Sequence, residues 1–294
     1  MTPMALDASY RQLMQLLCSR GFDWFRRRIE ALPDPVPPDA PDLAALALAG
    51  RFAPVCSGLR GSPAPLEAFV RLRLTPDLVG SCIGLVERGM RDPAPVQTLM
   101  AAQGLGIGEA AQIPRLHRAL AGIAGDRALD LPTRLALGTR PGPALLDQAE
   151  SLLRSPMTGQ MMEDARIDRF ARILMQLYGY GALRPRFGDA RAYGEIFLNC
   201  LRIADWAESR RRLTPLAQMV FALCLIDPDH DVQPMLAEII ASQRPDGSFP
   251  TRIGFGTGDQ DLAQAALPTI MTLAALHMAI HRRWRQPPHD RLAA

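Results

Sequence analysis

Apolar positions recur at helical spacing along almost the whole chain, and proline and glycine punctuate them into segments. Leu13, Leu16, Leu17, Trp24, Phe25 and Ile29 share one face of an amphipathic helix expected over 9–31. Leu32-Pro33-Asp34-Pro35-Val36-Pro37-Pro38-Asp39 then stops it, because proline fixes φ and removes the amide donor. Residues 1–40 therefore read as an N-terminal amphipathic helix with a stiff proline-rich linker, and 41–294 as a helical domain. From Asp42 to about Leu153 the pattern predicts short helices near 43–48, 66–72, 76–90, 94–102, 113–123 and 144–153. Thr75-Pro76 and Asp92-Pro93 are start signals, and Gly104, Gly106 and Gly108 break the middle. Past Met161 the helices lengthen to roughly 162–179, 189–209, 214–226, 232–243 and 260–283. Short connectors between such segments predict antiparallel helix pairs in an all-α fold.

Composition agrees. Hydrophobic residues make up 48% of the 294, ample for a sizeable core, while aromatics are only 6%. The 33 basic residues nearly balance 30 acids, and a net charge of +3 provides no field that would gather nucleic acid. Every basic residue is arginine. Without lysine, a phosphate-loop lysine, a pyridoxal Schiff base and a lysine general base are excluded. The arginine, alanine and proline bias suits a GC-rich bacterial genome. Cys18, Cys56, Cys82, Cys200 and Cys224 are odd in number and form no CxxC pair, which suits buried thiols in a reducing compartment. The start, Met1-Thr2-Pro3-Met4-Ala5-Leu6-Asp7, lacks a secretory pattern, and no 18-residue apolar stretch is expected to mark a transmembrane segment. The expected location is cytoplasmic.

The most specific stretch is Ile239-x3-Gln243-x3-Gly247-x-Phe249, followed by Gly258-Asp259-Gln260-Asp261 and a long apolar helix. A glutamine at a helix end can serve free amides or carbonyls, Gly247 permits positive φ, and Phe249 can cover the junction. An echo, Gly181-Ala182-Leu183-Arg184-Pro185 followed by Asp189, suggests repeated helix-turn-helix units that must stack to bury their apolar faces. The stretch resembles the glutamine and aromatic repeat of terpenoid cyclases and protein prenyltransferase β subunits. It differs in having Glu238 where that repeat prefers an aromatic, and Phe249 where tryptophan is common.

This resemblance, which covers about 213–284, implies an α/α toroid with a central cavity for a hydrophobic or isoprenoid-like ligand. It also implies acid-initiated cyclase-type chemistry, with Asp261 as proton donor and Asp259 as its orienting partner. Tyr178, Tyr180, Tyr193, Phe249 and Phe255 are the expected cavity walls, since aromatic faces stabilise cations. The family's zinc set is not matched, because Gln264 stands where a histidine would be needed, and no aspartate-rich magnesium motif has the right spacing. No metal and no cofactor is expected. The alternative is a noncatalytic helical binding or scaffold protein that has lost the family's catalytic residues, with room for a protein partner or self-association.

Other candidates have plainer readings. Gly254-Phe255-Gly256-Thr257-Gly258 precedes a helix and reads as a connector or lid. Asp227-Pro228-Asp229-His230-Asp231 suits a connector and N-cap. His277 and His281, at i and i+4, lack a third ligand at supporting spacing and read as satisfied histidines. Arg26-Arg27-Arg28, Arg210-Arg211-Arg212 and Arg282-Arg283-Trp284-Arg285 lie at helix ends, where cations complement the dipole.

Overall fold

The computed structural model describes residues 8–58, 65–124, 129–137, 142–159, 162–181, 183, 186–254 and 261–281. Among them are thirteen α-helices and no strand; the one β-type contact is an isolated bridge between Arg212 and Arg252. The first six helices are α1 (Ala8–Glu30), α2 (Leu43–Gly58), α3 (Pro65–Arg71), α4 (Pro76–Glu87), α5 (Pro93–Leu105) and α6 (Ile113–Ala124). Then come α7 (Leu131–Leu137), α8 (Pro143–Arg154), α9 (Asp164–Leu177), α10 (Ala190–Ser209), α11 (Leu213–Ile226), α12 (Gln233–Ile240) and α13 (Leu262–His281). The all-α expectation holds.

Two helices without a polar face organise the rest. In α11 every residue from Pro215 to Leu225 is buried, and in α13 every residue from Pro268 to Ile280. A helix apolar on all sides has to be surrounded by others. Accordingly α13 packs against α1 and α2 as well as against α11, and α11 also meets α9, α10 and α12. Leu273, Ala275 and Leu276 of α13 have no exposed surface at all (0%). They therefore border no water-sized void.

Helix α1 joins the same core through Met14, Leu17, Phe22, Trp24, Phe25 and Ile29. Its close approach to α13 rests on Gly21, where an added Cβ would stand 2.8 Å from a Leu273 methyl. The linker that follows is anchored too. Arg73 donates to the carbonyls of Glu30 (2.8 Å) and Leu32 (3.0 Å), and Val36 is buried.

The connector between α12 and α13 holds α1 from the other end. The Gln243 amide donates to the Leu17 carbonyl at 2.8 Å and to the Gly247 carbonyl at 3.1 Å. Arg20 and Arg27 return the contact, donating to the carbonyls of Pro245 (2.9 Å) and Asp246 (2.6 Å). The Phe249 ring is fully buried, and its amide donates to Thr269 Oγ1 at 3.0 Å. Gly247 has φ +95°, and a Cβ there would collide with the Arg20 carbonyl. Each residue of the glutamine-glycine-aromatic pattern thus fixes the chain against α1 or α13.

Two elements depart from the sequence expectation. Helix α2 continues to Gly58, ten residues past the expected end, with Pro54 inside it. Gly50 is used there for packing, since a Cβ would lie 3.0 Å from Ala101 Cβ of α5. Helix α7 was not expected: its cap is Asp130, whose carboxylate accepts from the Thr133 amide at 2.9 Å. One described helix, α13, is long and apolar enough to cross a membrane despite the expectation of none, and it is mostly buried within the protein.

The collision at Gly247 yields a ranking. Gly89 has nearly the same φ, +96°, but nothing lies within 4 Å of an added Cβ. Gly89→Ala should cost only the left-handed backbone, about 1 kcal/mol, whereas Gly247→Ala should cost at least about 2 kcal/mol by displacing α1. Urea unfolding of both variants checks this. Equal losses would mean that the approach of α1 is not constraining.

Candidate functional site

Those of the sequence-selected residues that are described do not converge on one chamber. Asp261 is exposed at the start of α13, where its carboxylate accepts from the Gln264 amide at 2.9 Å. That is an N-cap, satisfying a free amide of the first turn. It is not the desolvated carboxyl that alkene protonation requires. Asp259 and Phe255 lie outside the described residues. Phe249 is sealed in the connector and faces no cavity.

The tyrosines separate because the chain reverses between them. Gly179, Tyr180 and Gly181 all have left-handed backbones, with φ of 53°, 53° and 89°. Glycine adopts this at no cost, and at Gly181 a Cβ would strike Met278 Cε. Before the turn, Tyr178 is buried and donates to the Arg186 carbonyl at 3.1 Å. Burial pushes its phenol well above the usual range. Its ring meets Phe187 edge-on at 5.5 Å, and Phe187 meets Tyr193 at 4.7 Å. Tyr178 and Tyr193 therefore belong to an aromatic packing cluster. Tyr180, after the reversal, lines an open cleft.

That cleft, about 320 Å³, lies where α2, α5, α7 and α9 meet. Its polar residues are Arg51, Gln103, Gln176 and Tyr180, and its apolar wall includes Met100 and Leu137. Arg51 Nη2 donates to the Tyr180 hydroxyl at 3.1 Å, and Gln176 Nε2 donates to it at 2.5 Å. The half-buried Arg51 makes no ion pair with a carboxylate among the described residues.

A second, larger cleft of about 600 Å³ lies beside Glu163, Asp164, Trp206, Arg210, Arg212 and Arg252. Here three arginines face two acids, and Arg212 pairs with Asp164. The other acidic motif, 227–231, is a connector: Asp227 accepts from the Asp229 amide (3.0 Å) and Asp231 from the Gln233 amide (2.9 Å). No group of three or more histidines, cysteines, aspartates or glutamates is placed to hold a metal among the described residues.

His277 departs from the expectation of a satisfied histidine. It is buried on α13, and neither ring nitrogen has a hydrogen-bond partner among the described residues. Its neighbours are rings: Phe22 at 5.6 Å and His281 stacked at 5.9 Å. Burial, with a smaller contribution from His281, lowers its pKa to about 4. The imidazole is thus held neutral, an apolar filler between α13 and α1.

Sequence reasoning missed Arg51, Gln103 and Gln176. They lie on three separated helices, and each is an ordinary polar residue in its own segment. The only local signal was the glycine-tyrosine-glycine turn that aims Tyr180 into the cleft. No family model, curated protein or solved structure matches the chain.

His277 sets a pH dependence. Its pKa is lowered by folding, so the unfolded chain takes up the proton first, and the stabilisation is complete above about pH 6.5 and lost as pH falls toward 4. Between pH 7.5 and 5 the loss should reach about 2 kcal/mol. Glu87 and Glu195, held below the usual carboxylate range by hydrogen bonds from Arg115 and from Arg154 and Arg191, act mainly at the acid end of that window. Urea midpoints measured across this range should depend less steeply on pH in His277→Leu, with His281, whose pKa burial also lowers, supplying part of the remaining slope; an unchanged slope would show that His277 is not the titrating group.

Proposed function

We propose that this chain is a noncatalytic helical binding protein, a toroid-like array of helix pairs with a filled centre and with its ligand sites in clefts between helices. The observation that carries the reading is the burial on all sides of Pro215 to Leu225 in α11 and Pro268 to Ile280 in α13, with Leu273, Ala275 and Leu276 fully enclosed. An acid-initiated cyclase needs an apolar chamber around its substrate and an acid within it. Among the described residues, Pro268 to Ile280 of α13 are enclosed by other side chains, and Asp261 is a solvent-exposed cap.

A closed arrangement is supported by contacts between described helices far apart in sequence. The last helix, α13, lies against the first two, which an open helical adaptor would not require. The resemblance to terpenoid cyclases and prenyltransferase β subunits enters through the connector, whose glutamine, glycine and phenylalanine serve packing here. Cys18, Cys82 and Cys200 are free and buried and Cys224 is buried, which suits a reducing, cytoplasmic setting.

The test is turnover. Purified wild type and Asp261→Asn, incubated with C15 and C20 prenyl diphosphates and with squalene, should give no cyclised product by gas chromatography and mass spectrometry. A product made by the wild type and lost in the variant would overturn the noncatalytic reading.

A further inference from the structure

From the cleft between α2, α5, α7 and α9 we infer a binding site for a small organic carboxylate, with Arg51 and the Tyr180 hydroxyl as the groups that hold it. The inference rests on the binding reading above and names the ligand class.

The hydrogen bonds at Tyr180 leave donors over. Its oxygen accepts from Arg51 Nη2 at 3.1 Å and from Gln176 Nε2 at 2.5 Å. A phenol oxygen serving two donors has its own proton left to give, and no protein acceptor for it is found among the described residues. Arg51 carries four further N–H groups and, among the described residues, meets no carboxylate. Turning the Gln176 amide would give the phenol an acceptor but would leave the guanidinium without a counter-charge. The cleft therefore presents donors and one positive charge, and lacks an anion.

The rest of the lining selects the class. Met100 and Leu137 supply an apolar wall, and Gln103 a second neutral polar group. One fixed cation balances a monoanion; a guanidinium fork matches the two oxygens of a carboxylate. A phosphate dianion would keep an uncompensated charge. The volume, about 320 Å³, is at the small end of ligand pockets and suits a short body behind the carboxylate.

The backbone fits a positioned group. Tyr180 is a non-glycine residue with φ 53° and ψ 39°, sparsely populated for such residues, and it is held there between two glycines that share the left-handed turn. The turn is what separates Tyr180 from the aromatic cluster at Tyr178.

Titration calorimetry on the full chain with phenylacetate and pentanoate tests the site, with inorganic phosphate and methyl phenylacetate as comparisons. The expected result is saturable binding of a carboxylate, no binding of the ester, and weaker binding of phosphate. Arg51→Met should weaken carboxylate binding by about tenfold or more and Tyr180→Phe by about threefold to tenfold, as loss of a hydrogen bond to a charged group implies. Thermal melts establish that each variant is folded; if Arg51→Met is not, Tyr180→Phe and the ester comparison still decide. No carboxylate binding by the wild type, carboxylate binding that survives in the folded variants, or phosphate bound more tightly would overturn the site. None of these outcomes bears on prenyl turnover, so failure of this site is distinguishable from failure of the noncatalytic reading.

Discussion

A twenty-residue helix with almost no polar surface must be enclosed, and much of this structure follows from enclosing α13. Its backbone hydrogen bonds are internal, but its apolar circumference needs partners in every direction. The N-terminal helices α1 and α2 cover one side and α11 another. Helices far apart in sequence are thereby brought together. Residues 8–40, which look separable on paper as a helix and linker, supply Trp24, Phe25 and Ile29 to the same core. Small residues set the spacing: Gly21 admits the Leu273 side chain and Gly50 admits Ala101.

The connector shows how a motif can be read correctly as architecture without implying chemistry. Gln243 does bridge carbonyls at a helix end, Gly247 does have positive φ, and Phe249 does seal the junction. None of these roles needs a substrate. Their common effect is to dock α1, with arginines of that helix binding the turn's carbonyls in return. The arginines at 20 and 27 act through geometry, as donors to backbone, and not through charge pairing.

Much of the helical order was legible because the apolar period is strong and proline or capping residues mark the starts. Thr75 and Asp189 both accept from amides three residues on, as their positions suggest. What escaped was decided by tertiary packing. Gly50 and Pro54 look like breaks, yet α2 runs through both because its neighbours hold it. The candidate site was less legible still. Tyr178 and Tyr180 are adjacent in any pattern, but the left-handed turn between them sends one into the core and the other to a cleft. Arg51, Gln103 and Gln176 meet only in three dimensions. Asp261, expected from the sequence as a proton donor, accepts from the Gln264 amide at the start of α13.

In the proposed reading the middle of the fold is packed, with ligands held between helices and not inside a ring. Ala265, Ala266, Ala274, Ala275 and Ala279 lie around the whole circumference of α13, and each is at most 1% exposed. Replacing each in turn by leucine and measuring urea unfolding is the most direct test. A packed centre predicts that all five variants lose about 1–3 kcal/mol, because none has room for the added carbons. Leucine tolerated without loss along one face of the helix would reveal a hollow there, and would contradict the account.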